Sequence, residues 1–405
     1  MKKSDPGYIQ WVRETLVPDK IRFDCRYYTG YKPCGKADVC EGCALYTPQG
    51  RRILIIKLGA LGDVLRTTPL LRALRASGKP CHITWVTNPE AEPLFLGQTW
   101  VDRVMTFDPR HLLILEQERF DLLLSLDKDA EALALAMSVQ AGEKRGFALS
   151  SWGTPTVFND EAVYALQLAL NDPLKFYHNQ KTYQEVIFDA CGFTYHGEEY
   201  VLGPTDAARA HAAEVARRAG IAAGTILIGI NTGCGSVFLT KQWTVEGFCE
   251  LIERIIENFP GVQCLLLGGP RERDFNEEIL RRLTPLRQPT AGRPYPALAD
   301  AGCGNTLEQF IGIVDMCPVV VSSDSLAMHL AIGLGKHVVV FFGPTCAQEI
   351  DLYGRGAKIV TDFECSPCYL KTCDKNPTCM QALTAESLLG ALHPILTSLQ
   401  SRPPS

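Results

Sequence analysis

A carboxylate follows an aliphatic run in the segment "ILIIKLGALGDVLRTTPLLRAL", residues 53–74. The run is long enough for one buried strand, Gly59 and Gly62 then permit a tight turn, and Asp63 stands where a helix begins. Asp63 is either an N-cap that accepts hydrogen bonds from the first helical N–H groups, or a general base aimed at an acceptor hydroxyl. A dinucleotide site is a third interpretation, but "GALGDV" lacks the G-x-G-x-x-G order. The segment alone leaves these alternatives open.

Two cysteine quartets have the composition of metal sites. Each contains a Cys-x-x-Cys pair, and four closely spaced thiolates suit tetrahedral zinc or an iron–sulfur cluster. For the first quartet we expect a structural metal, because the surrounding segment has too little apolar content to fold alone and metal binding would supply free energy. For the second quartet, free or paired thiols are the alternative. The quartets are Cys25, Cys34, Cys40 and Cys43, and Cys365, Cys368, Cys373 and Cys379.

The composition indicates a cytoplasmic globular protein. The chain has 405 residues, of which 46% are hydrophobic and 21% charged, and this length suits two domains. The first residues do not form the apolar segment of a secretory signal, and no window approaches the roughly 18 apolar residues of a membrane span. Disulfides rarely persist in the cytoplasm, so we expect the cysteines outside the quartets to be small core residues. A net charge of −5 gives no indication of nucleic-acid binding.

Short aliphatic runs alternate with helical patterns along the chain, which indicates crossover connections and parallel sheets. We expect a cysteine-rich extension at 1–50, a first α/β domain at 51–204, a second at 205–384, and a helix and tail at 385–405. Ligands of such folds bind at the carboxyl ends of the strands, in a cleft between the sheets. The predicted strands are "RILIIKL", "HITWV", "DRVMTF", "DLLLSL", "KRGFAL", "TILIGI", "VQCLLLG", "PVVVSS" and "HVVVFFG". The main predicted helices cover 206–219, 244–259, 272–283, 307–316, 325–334 and 385–399.

The opening segment resembles the first motif of glycosyltransferase family nine, the heptosyltransferases that build the inner core of lipopolysaccharide. The resemblance continues in order through four more segments and the cysteine-bearing tail, over roughly residues 51–395. It implies a GT-B fold, in which two Rossmann-like domains face a cleft, with the acceptor on the first domain and the nucleotide-sugar on the second. The four segments are "EKRGF" (143–147), "IGINTGCGSVFLTKQW" (228–243), "LLLGGPRER" (265–273) and "VVSSDSLAMHLAIGLGKHVVVFFGPT" (320–345).

The resemblance implies that Asp63 is the catalytic carboxylate. It would take the proton of the acceptor hydroxyl while that oxygen attacks the anomeric carbon, and one displacement inverts the configuration. The departing nucleotide diphosphate carries several negative charges, so cationic groups and helix N-termini should meet it. Lys241 matches the phosphate-facing lysine of the family, and Thr232, Gly233 and Thr240 would add hydroxyl and backbone contacts to the donor.

A second donor segment, "SSDSLAMH", follows a strand and opens a helix, so the N–H groups of Ser325 and Leu326 can face a phosphate. Asp324 would contact sugar hydroxyls, and His329 lies one helical turn further on the same side. The alternative is an N-cap aspartate and a core histidine. Leu326 stands where the family usually has glycine, so the donor sugar or nucleotide can differ. Glu272 is a candidate for a ribose contact.

On the acceptor side, we expect contacts from Gly62, Arg66 and Asp127. Arg66 belongs with Arg72 and Arg75 to a basic helix region that either binds a phosphorylated saccharide or is exposed to water. Asp127 opens "DKD", which looks like the metal-binding D-x-D of another glycosyltransferase fold. Because it ends a first-domain strand, away from the expected donor site, we expect Asp127 to contact the acceptor instead.

The sequence therefore predicts an inverting glycosyltransferase that moves a sugar, expected to be heptose from ADP-heptose, to a lipopolysaccharide-core-like or other glycan or glycolipid acceptor. Catalysis requires no cofactor, and we expect a cytoplasmic enzyme with peripheral contact to the inner membrane. An NAD-dependent oxidoreductase would need a dinucleotide fingerprint, which neither Gly-rich turn supplies. The remaining alternative is a metal-binding redox or regulatory protein on a degenerate GT-B scaffold, which Leu326 and the added cysteines keep open.

Overall fold

The computed structural model describes residues 20–401 and contains two six-stranded sheets. The first sheet consists of β1 (Arg51–Ile56), β2 (Cys81–Thr87), β3 (Arg103–Thr106), β4 (Arg119–Ser125), β5 (Gln140–Leu149) and β6 (Pro155–Val157). The second consists of β7 (Ile226–Asn231), β8 (Val262–Leu267), β9 (Leu298–Asp300), β10 (Val319–Ser323), β11 (His337–Phe342) and β12 (Gly356–Val360). The strand orders are β3-β2-β1-β4-β5-β6 and β12-β11-β10-β7-β8-β9. β5 and β6 are antiparallel, and the other neighbouring pairs are parallel, which confirms the predicted pair of α/β units.

Helices connect the strands on both faces of each sheet, and those predicted in the second half of the chain begin and end within one residue of the expected positions. In the first half they are α1 (Leu61–Thr67), α2 (Leu70–Ala76), α3 (Pro109–Gln117), α4 (Ala130–Ser138), α5 (Val163–Leu170) and α6 (Tyr183–Ala190). In the second half they are α7 (Asp206–Arg218), α8 (Val245–Asn258), α9 (Arg273–Arg282), α10 (Leu307–Asp315), α11 (Leu326–Gly333), α12 (Cys379–Ala382) and α13 (Ala385–Gln400).

The continuous aliphatic sequence of β1 is explained by burial on both faces. Ile53 and Ile55 pack with Trp85 in one core, whereas Leu54 and Ile56 pack in a second core on the opposite face of the sheet. A central parallel strand covered by helices on both sides has no solvent face, so it does not alternate between apolar and polar residues. β1 therefore delivers the residues that follow it to a fixed point at the carboxyl edge of the sheet.

The closing helix α13 packs on the second sheet. Leu388, Leu392 and Leu396, spaced by four residues, are fully buried and belong to the core formed with α8 and β11. This spacing places the three side chains on one helix face. Between residues 20 and 401, the chain contains no helix that is long and apolar enough to cross a membrane.

Three short strands, β6, β9 and β12, were not predicted. β6 and β9 have three residues each, and all three lie at the sheet edges. β12 alternates between exposed and partly buried residues, so its sequence lacks the aliphatic run that marks the central strands. Edge strands of this kind give a weak sequence signal because one of their sides faces solvent.

The described part of the N-terminal extension, residues 20–50, consists of turns and bends with a bridge between Cys25 and Pro48. Arg26 attaches it to the first sheet, donating to the carbonyl of Cys81 at 2.9 Å and pairing with Asp102 at 3.1 Å. Residues 1–19 of the expected extension and 402–405 of the expected tail lie outside the described residues. The domain boundaries stay a prediction.

Candidate functional site

The turn after β1 places Asp63 in the first turn of α1. The helix begins at Leu61 with Ala60 as its N-cap, so the N-cap interpretation of Asp63 is wrong. The Asp63 carboxylate pairs with Arg66 at 2.8 Å, and 36% of its side chain remains exposed. Asp63 is therefore held by a cation on its own helix while one side faces solvent.

Asp63 borders a pocket of about 300 Å³ that is lined by residues of both α/β units. Its apolar wall comes from α5 and α6, and its remaining wall is unusually rich in charge. A pocket that combines an ionised carboxylate with several cations suits a polar, hydroxyl-bearing ligand. The charged side chains that line it are Lys57, Asp63, Arg66, Asp127, Lys128, Asp129, Lys175 and Glu349.

Arg66, expected to bind the acceptor, is shared between two carboxylates. Besides Asp63 it pairs at 3.6 Å with Glu349, which comes from the second half of the chain. Its guanidinium lies 3.7 Å from the ring centroid of Tyr183, and Lys175 pairs with Glu349 at 3.8 Å. Glu349 therefore connects two cations of the first domain at the edge of the pocket. Arg66 lines the pocket, but its charge is already paired.

The environment of Asp63 favours its ionised form. Burial acts to raise the pKa of Asp63, but the guanidinium of Arg66 and the ammonium of Lys57 outweigh burial, and the pKa lies below its ordinary value. Asp63 is consequently ionised at neutral pH, as a general base must be.

Lys57 and Asp127 form a buried ion pair at the ends of the neighbouring strands β1 and β4. The second carboxylate oxygen of Asp127 accepts the N–H of Leu58. Both oxygens of Asp127 are therefore engaged in fixing the turn that leads to Asp63. The expected contact between Asp127 and the acceptor is at odds with this arrangement, because a buried carboxylate that leaves such a pair uncovers the lysine charge.

Gly62, also expected at the acceptor, lies instead against His329. A Cβ added at Gly62 would stand 2.6 Å from Cδ2 of His329, closer than packed atoms tolerate. His329 is buried, and its Nδ1 lies 3.3 Å from the hydroxyl of Tyr200. The missing side chain of Gly62 thus allows α1 of the first domain to touch α11 of the second.

The donor segments meet at the carboxyl ends of β7 and β10. Lys241 donates from Nζ to the main-chain carbonyl of Asp324 at 2.5 Å, and its distance to the Asp324 carboxylate is 3.8 Å. Asn231, at the end of β7, donates to the carbonyl of Gly233 at 2.8 Å and to Oγ of Ser325 at 3.1 Å. Asn231 joins the two segments, and its residue type carried no distinctive sequence signal.

Two hydroxyl groups that were expected to contact the sugar donor form hydrogen bonds within the protein instead. Oγ1 of Thr232 donates to Oδ1 of Asn276 at 2.6 Å, in a buried position. Oγ1 of Thr240 donates to the carbonyl of Leu370 at 2.7 Å. At both positions, contacts to a donor are consequently left to the main chain, unless these bonds break.

Glu272 and Gly233 lie next to each other. A Cβ added at Gly233 would meet the Glu272 carboxylate at 3.2 to 3.5 Å, and that carboxylate accepts the N–H of Gly269 at 2.9 Å. The two Gly-rich turns after β7 and β8 therefore pack together, and the ribose contact of Glu272 stays a prediction.

The start of α11 differs from the expectation for Asp324. The helix begins at Leu326 with Ser325 as its N-cap, so Asp324 precedes the cap. Oγ of Ser325 lies 2.9 Å from Oγ of Ser322. The N-cap interpretation of Asp324 is wrong, whereas the core interpretation of His329 agrees with its burial.

Charged groups of both domains act on His329, which is buried where α1 of the first domain meets α11 of the second. Burial, together with Arg66 and Lys241, lowers the pKa of His329 to about 4, against the opposing effects of Asp324 and Asp63. His329 is therefore neutral at pH 7.

Among residues 20–401, no three His, Cys, Asp or Glu side chains are arranged to hold a metal ion. The four N-terminal cysteines nevertheless line one small cavity of about 20 Å³, and the four C-terminal cysteines line another of about 520 Å³. All sixteen thiols are free, and the eight outside the quartets are buried, as expected for core residues. Metal binding at either quartet stays a prediction.

Four pocket residues carried little sequence signal. Lys57 directly follows the aliphatic run of β1, and this single charge at the end of a buried strand is its one sequence signal. Lys175, Tyr183 and Glu349 lie in segments without a distinctive pattern, and they reach the pocket only through the tertiary fold.

The sequence model of glycosyltransferase family 9 (heptosyltransferase) matches residues 110–378. The chain belongs to glycosyltransferase family 9. This family 9 chain is 28% identical over 125 residues to lipopolysaccharide heptosyltransferase 2 of Salmonella typhimurium. That match covers 30% of the chain and 32% of the relative, so the chain spans about a third of the curated relative's length.

Solved structures share the fold of this family 9 chain. A family 9 glycosyltransferase from Veillonella parvula superposes with a TM-score of 0.63 at 19% identity, covering 86% of this chain and 97% of that one. The ADP-heptose lipopolysaccharide heptosyltransferase II of Escherichia coli superposes with a TM-score of 0.62 at 16% identity, covering 86% and 100%. The predicted GT-B fold is confirmed.

Proposed function

We propose that this chain transfers a heptose from ADP-heptose to a hydroxyl of a lipopolysaccharide-core-like glycan, with inversion at the anomeric carbon. One observation carries the proposal: Asp63, in the first motif of the resemblance, borders the pocket of about 300 Å³ and is ionised there. The names of the relatives, a lipopolysaccharide heptosyltransferase and an ADP-heptose transferase, supply the sugar and the nucleotide.

In the proposed reaction, Asp63 takes the proton of the acceptor hydroxyl as that oxygen attacks the anomeric carbon. The new carbon–oxygen bond forms while the bond from the anomeric carbon to the diphosphate breaks, and ADP leaves with the electron pair. Attack from the face opposite ADP inverts the configuration in one displacement. The pairing with Arg66 keeps the Asp63 carboxylate ionised and oriented before the acceptor arrives.

Lys241 is proposed to neutralise the diphosphate as its charge develops. Its ammonium lies beside Asp324, immediately before α11, and the first N–H groups of that helix favour negative charge. We assign the donor to residues 205–384 and the acceptor to residues 51–204. Catalysis in this scheme uses no cofactor.

The acceptor is proposed to be a glycolipid presented at the inner face of the cytoplasmic membrane, with the chain bound peripherally. The cations Lys128 and Lys175 at the pocket suit an acceptor that carries acidic groups. The alternative of a metal-binding redox or regulatory protein is not favoured, because the family match extends over the donor segments and the base and the lysine are both present.

The test is transfer from ADP-heptose by the full chain, with donor binding measured by calorimetry. Asp63→Asn should lower kcat at least about 100-fold, the usual scale for loss of a general base, with the donor Kd unchanged. Lys241→Ala should raise the donor Kd about tenfold. Lys79→Ala, an exposed lysine of the first domain, is the control and should match wild type. Full turnover by Asp63→Asn would reject the assigned base.

A further inference from the structure

Tyr369 lies in the loop between β12 and α12 and contacts both domains. Its ring stacks on Phe176 with centroids 5.4 Å apart and an interplanar angle of 8°. The ring of Phe238 meets Tyr369 edge-on, at 5.7 Å and 86°. The ammonium of Lys175 lies 4.0 Å from the centroid of Tyr369. One aromatic ring thus joins a first-domain segment, Leu174–His178, to the donor side of the second domain.

The backbone of Tyr369 supports a specific role for this ring. Its φ is 51°, in the left-handed region that residues other than glycine rarely adopt. The surrounding contacts must offset that unfavourable conformation. They include the N–H of Cys346, which donates to the Tyr369 hydroxyl at 3.3 Å, and the N–H of Tyr369, which donates to the carbonyl of Pro344 at 2.8 Å.

On the donor side, the loop fixes the turn that carries Lys241. Phe238 directly precedes the 3₁₀ turn Leu239–Lys241, and its carbonyl accepts the N–H of Lys241 at 3.1 Å. The next residue after Tyr369 also participates, because the Leu370 carbonyl accepts Oγ1 of Thr240. The loop thus contacts the turn through Phe238 and Thr240, while the Lys241 ammonium donates to the carbonyl of Asp324.

On the acceptor side, the ring holds Lys175 at the pocket. Lys175 lines the pocket beside Asp63, and the Tyr369 face and Glu349 are both close to its ammonium. The adjoining carbonyls are fixed as well, since Nε2 of Gln348 donates to the carbonyl of Lys175 at 3.2 Å. Cation–π and stacking contacts of this kind together restrict the positions that a flexible side chain samples.

We propose that Tyr369 is a positioning residue that holds the Lys241 turn and Lys175 in register across the cleft. The inference rests on the proposed function, in which Lys241 meets the donor diphosphate and Lys175 borders the acceptor. A pre-ordered turn and a pre-ordered lysine lose less conformational freedom when substrate binds, so the ring acts on affinity for both substrates.

The experiment compares Tyr369→Ala with Tyr369→Phe in steady-state transfer. Phenylalanine keeps the ring contacts, so its KM values for donor and acceptor should stay within about twofold of wild type. Alanine removes the ring's contacts with Phe176, Phe238 and Lys175, and should raise both KM values about tenfold, with a smaller change in kcat. Trp152→Ala, at a first-domain ring that is 88% exposed, is the control and should match wild type. Unchanged KM values in Tyr369→Ala, or equal defects in both variants, would overturn the role of the ring.

Two single-sided variants keep the proposal testable if Tyr369→Ala does not fold. Phe238→Leu removes the donor-side ring contact and should raise the donor KM alone, whereas Phe176→Leu should raise the acceptor KM alone. Equal effects of each variant on both substrates, or no effect, would contradict the two-sided arrangement. Wild type without any transfer from ADP-heptose would reject the proposed function itself, and the inference with it. Active wild type with unaffected variants would reject only the inference.

Discussion

The Asp63 carboxylate lies 2.8 Å from the Arg66 guanidinium, three residues later on the same helix. Arg66 also reaches Glu349 of the second domain at 3.6 Å. The cation that stabilises the proposed base is therefore shared with a carboxylate across the cleft. Arg66 thus connects the proposed base to the second domain.

Replacing Arg66 should change the pH dependence of transfer. Arg66→Gln removes the cation that most strongly lowers the pKa of Asp63, so this pKa should rise because burial is then less opposed. A base is active only when deprotonated, so the acidic limb of the kcat/KM profile should move to higher pH. The profile of Arg72→Gln is the control, because Arg72 donates to the carbonyl of Glu199 instead. An acidic limb that stays in place would contradict the role of Arg66.

Breaking the buried pair of Lys57 and Asp127 should destabilise the fold. Asp127→Ala leaves the Lys57 ammonium buried without its partner, and such a loss costs about 3 to 5 kcal/mol of the free energy of unfolding. The double variant Lys57→Met with Asp127→Leu removes both charges, and its free energy of unfolding should fall by less than that of Asp127→Ala. Urea denaturation measures both. A double variant that is no more stable than Asp127→Ala would show that the charges themselves are not responsible.

Adding one methyl group at Gly62 should force α1 and α11 apart. Gly62→Ala places a Cβ 2.6 Å from Cδ2 of His329, and overpacking of this kind costs about 1 to 3 kcal/mol in the free energy of unfolding. Combining it with His329→Ala should recover part of the loss, which a double-mutant cycle detects. Gly390→Ala is the matched helical control, because a Cβ there enters open space among the described residues. Additive losses in the cycle would refute the contact.

The N-terminal quartet stays a predicted metal site. We expect purified protein to contain zinc or iron, and Cys40→Ser to lower the metal content, as measured by elemental analysis. A brown preparation would indicate iron–sulfur, and a colourless preparation with metal would indicate zinc. Cys234→Ser, at a buried thiol outside the quartets, should leave the metal content unchanged. Metal-free protein in which the extension keeps its contact between Arg26 and Cys81 would refute the site.

Much of the scaffold could be predicted because its signals are local. The run from Ile53 to Leu58 and the glycines after it define a strand, a turn and a helix within a few residues. The helices of the second half show the same local periodicity, which explains the agreement at their ends. Edge strands such as β12 lack that signal.

The pairing of side chains at the site could not be predicted, because it depends on residues far apart in the chain. Asp127 and Lys57 are separated by 70 residues, and the sequence shows the aspartate without showing which lysine pairs with it. Similarly, nothing near Thr232 indicates that its hydroxyl is bonded to Asn276. The sequence shows the residue type at each position, but it does not show whether another residue already binds that side chain.

The position of Glu349 between Arg66 and Lys175 has a consequence for the spacing of the domains. These contacts, at 3.6 and 3.8 Å, are loose ion pairs at the edge of a solvent-filled pocket. The three side chains are only 15 to 25% exposed, so ionic strength weakens these attractions less than it weakens surface ion pairs. An incoming acidic sugar would compete with Glu349 for the same two cations, and displacing Glu349 would remove two contacts that hold the domains together at the entrance.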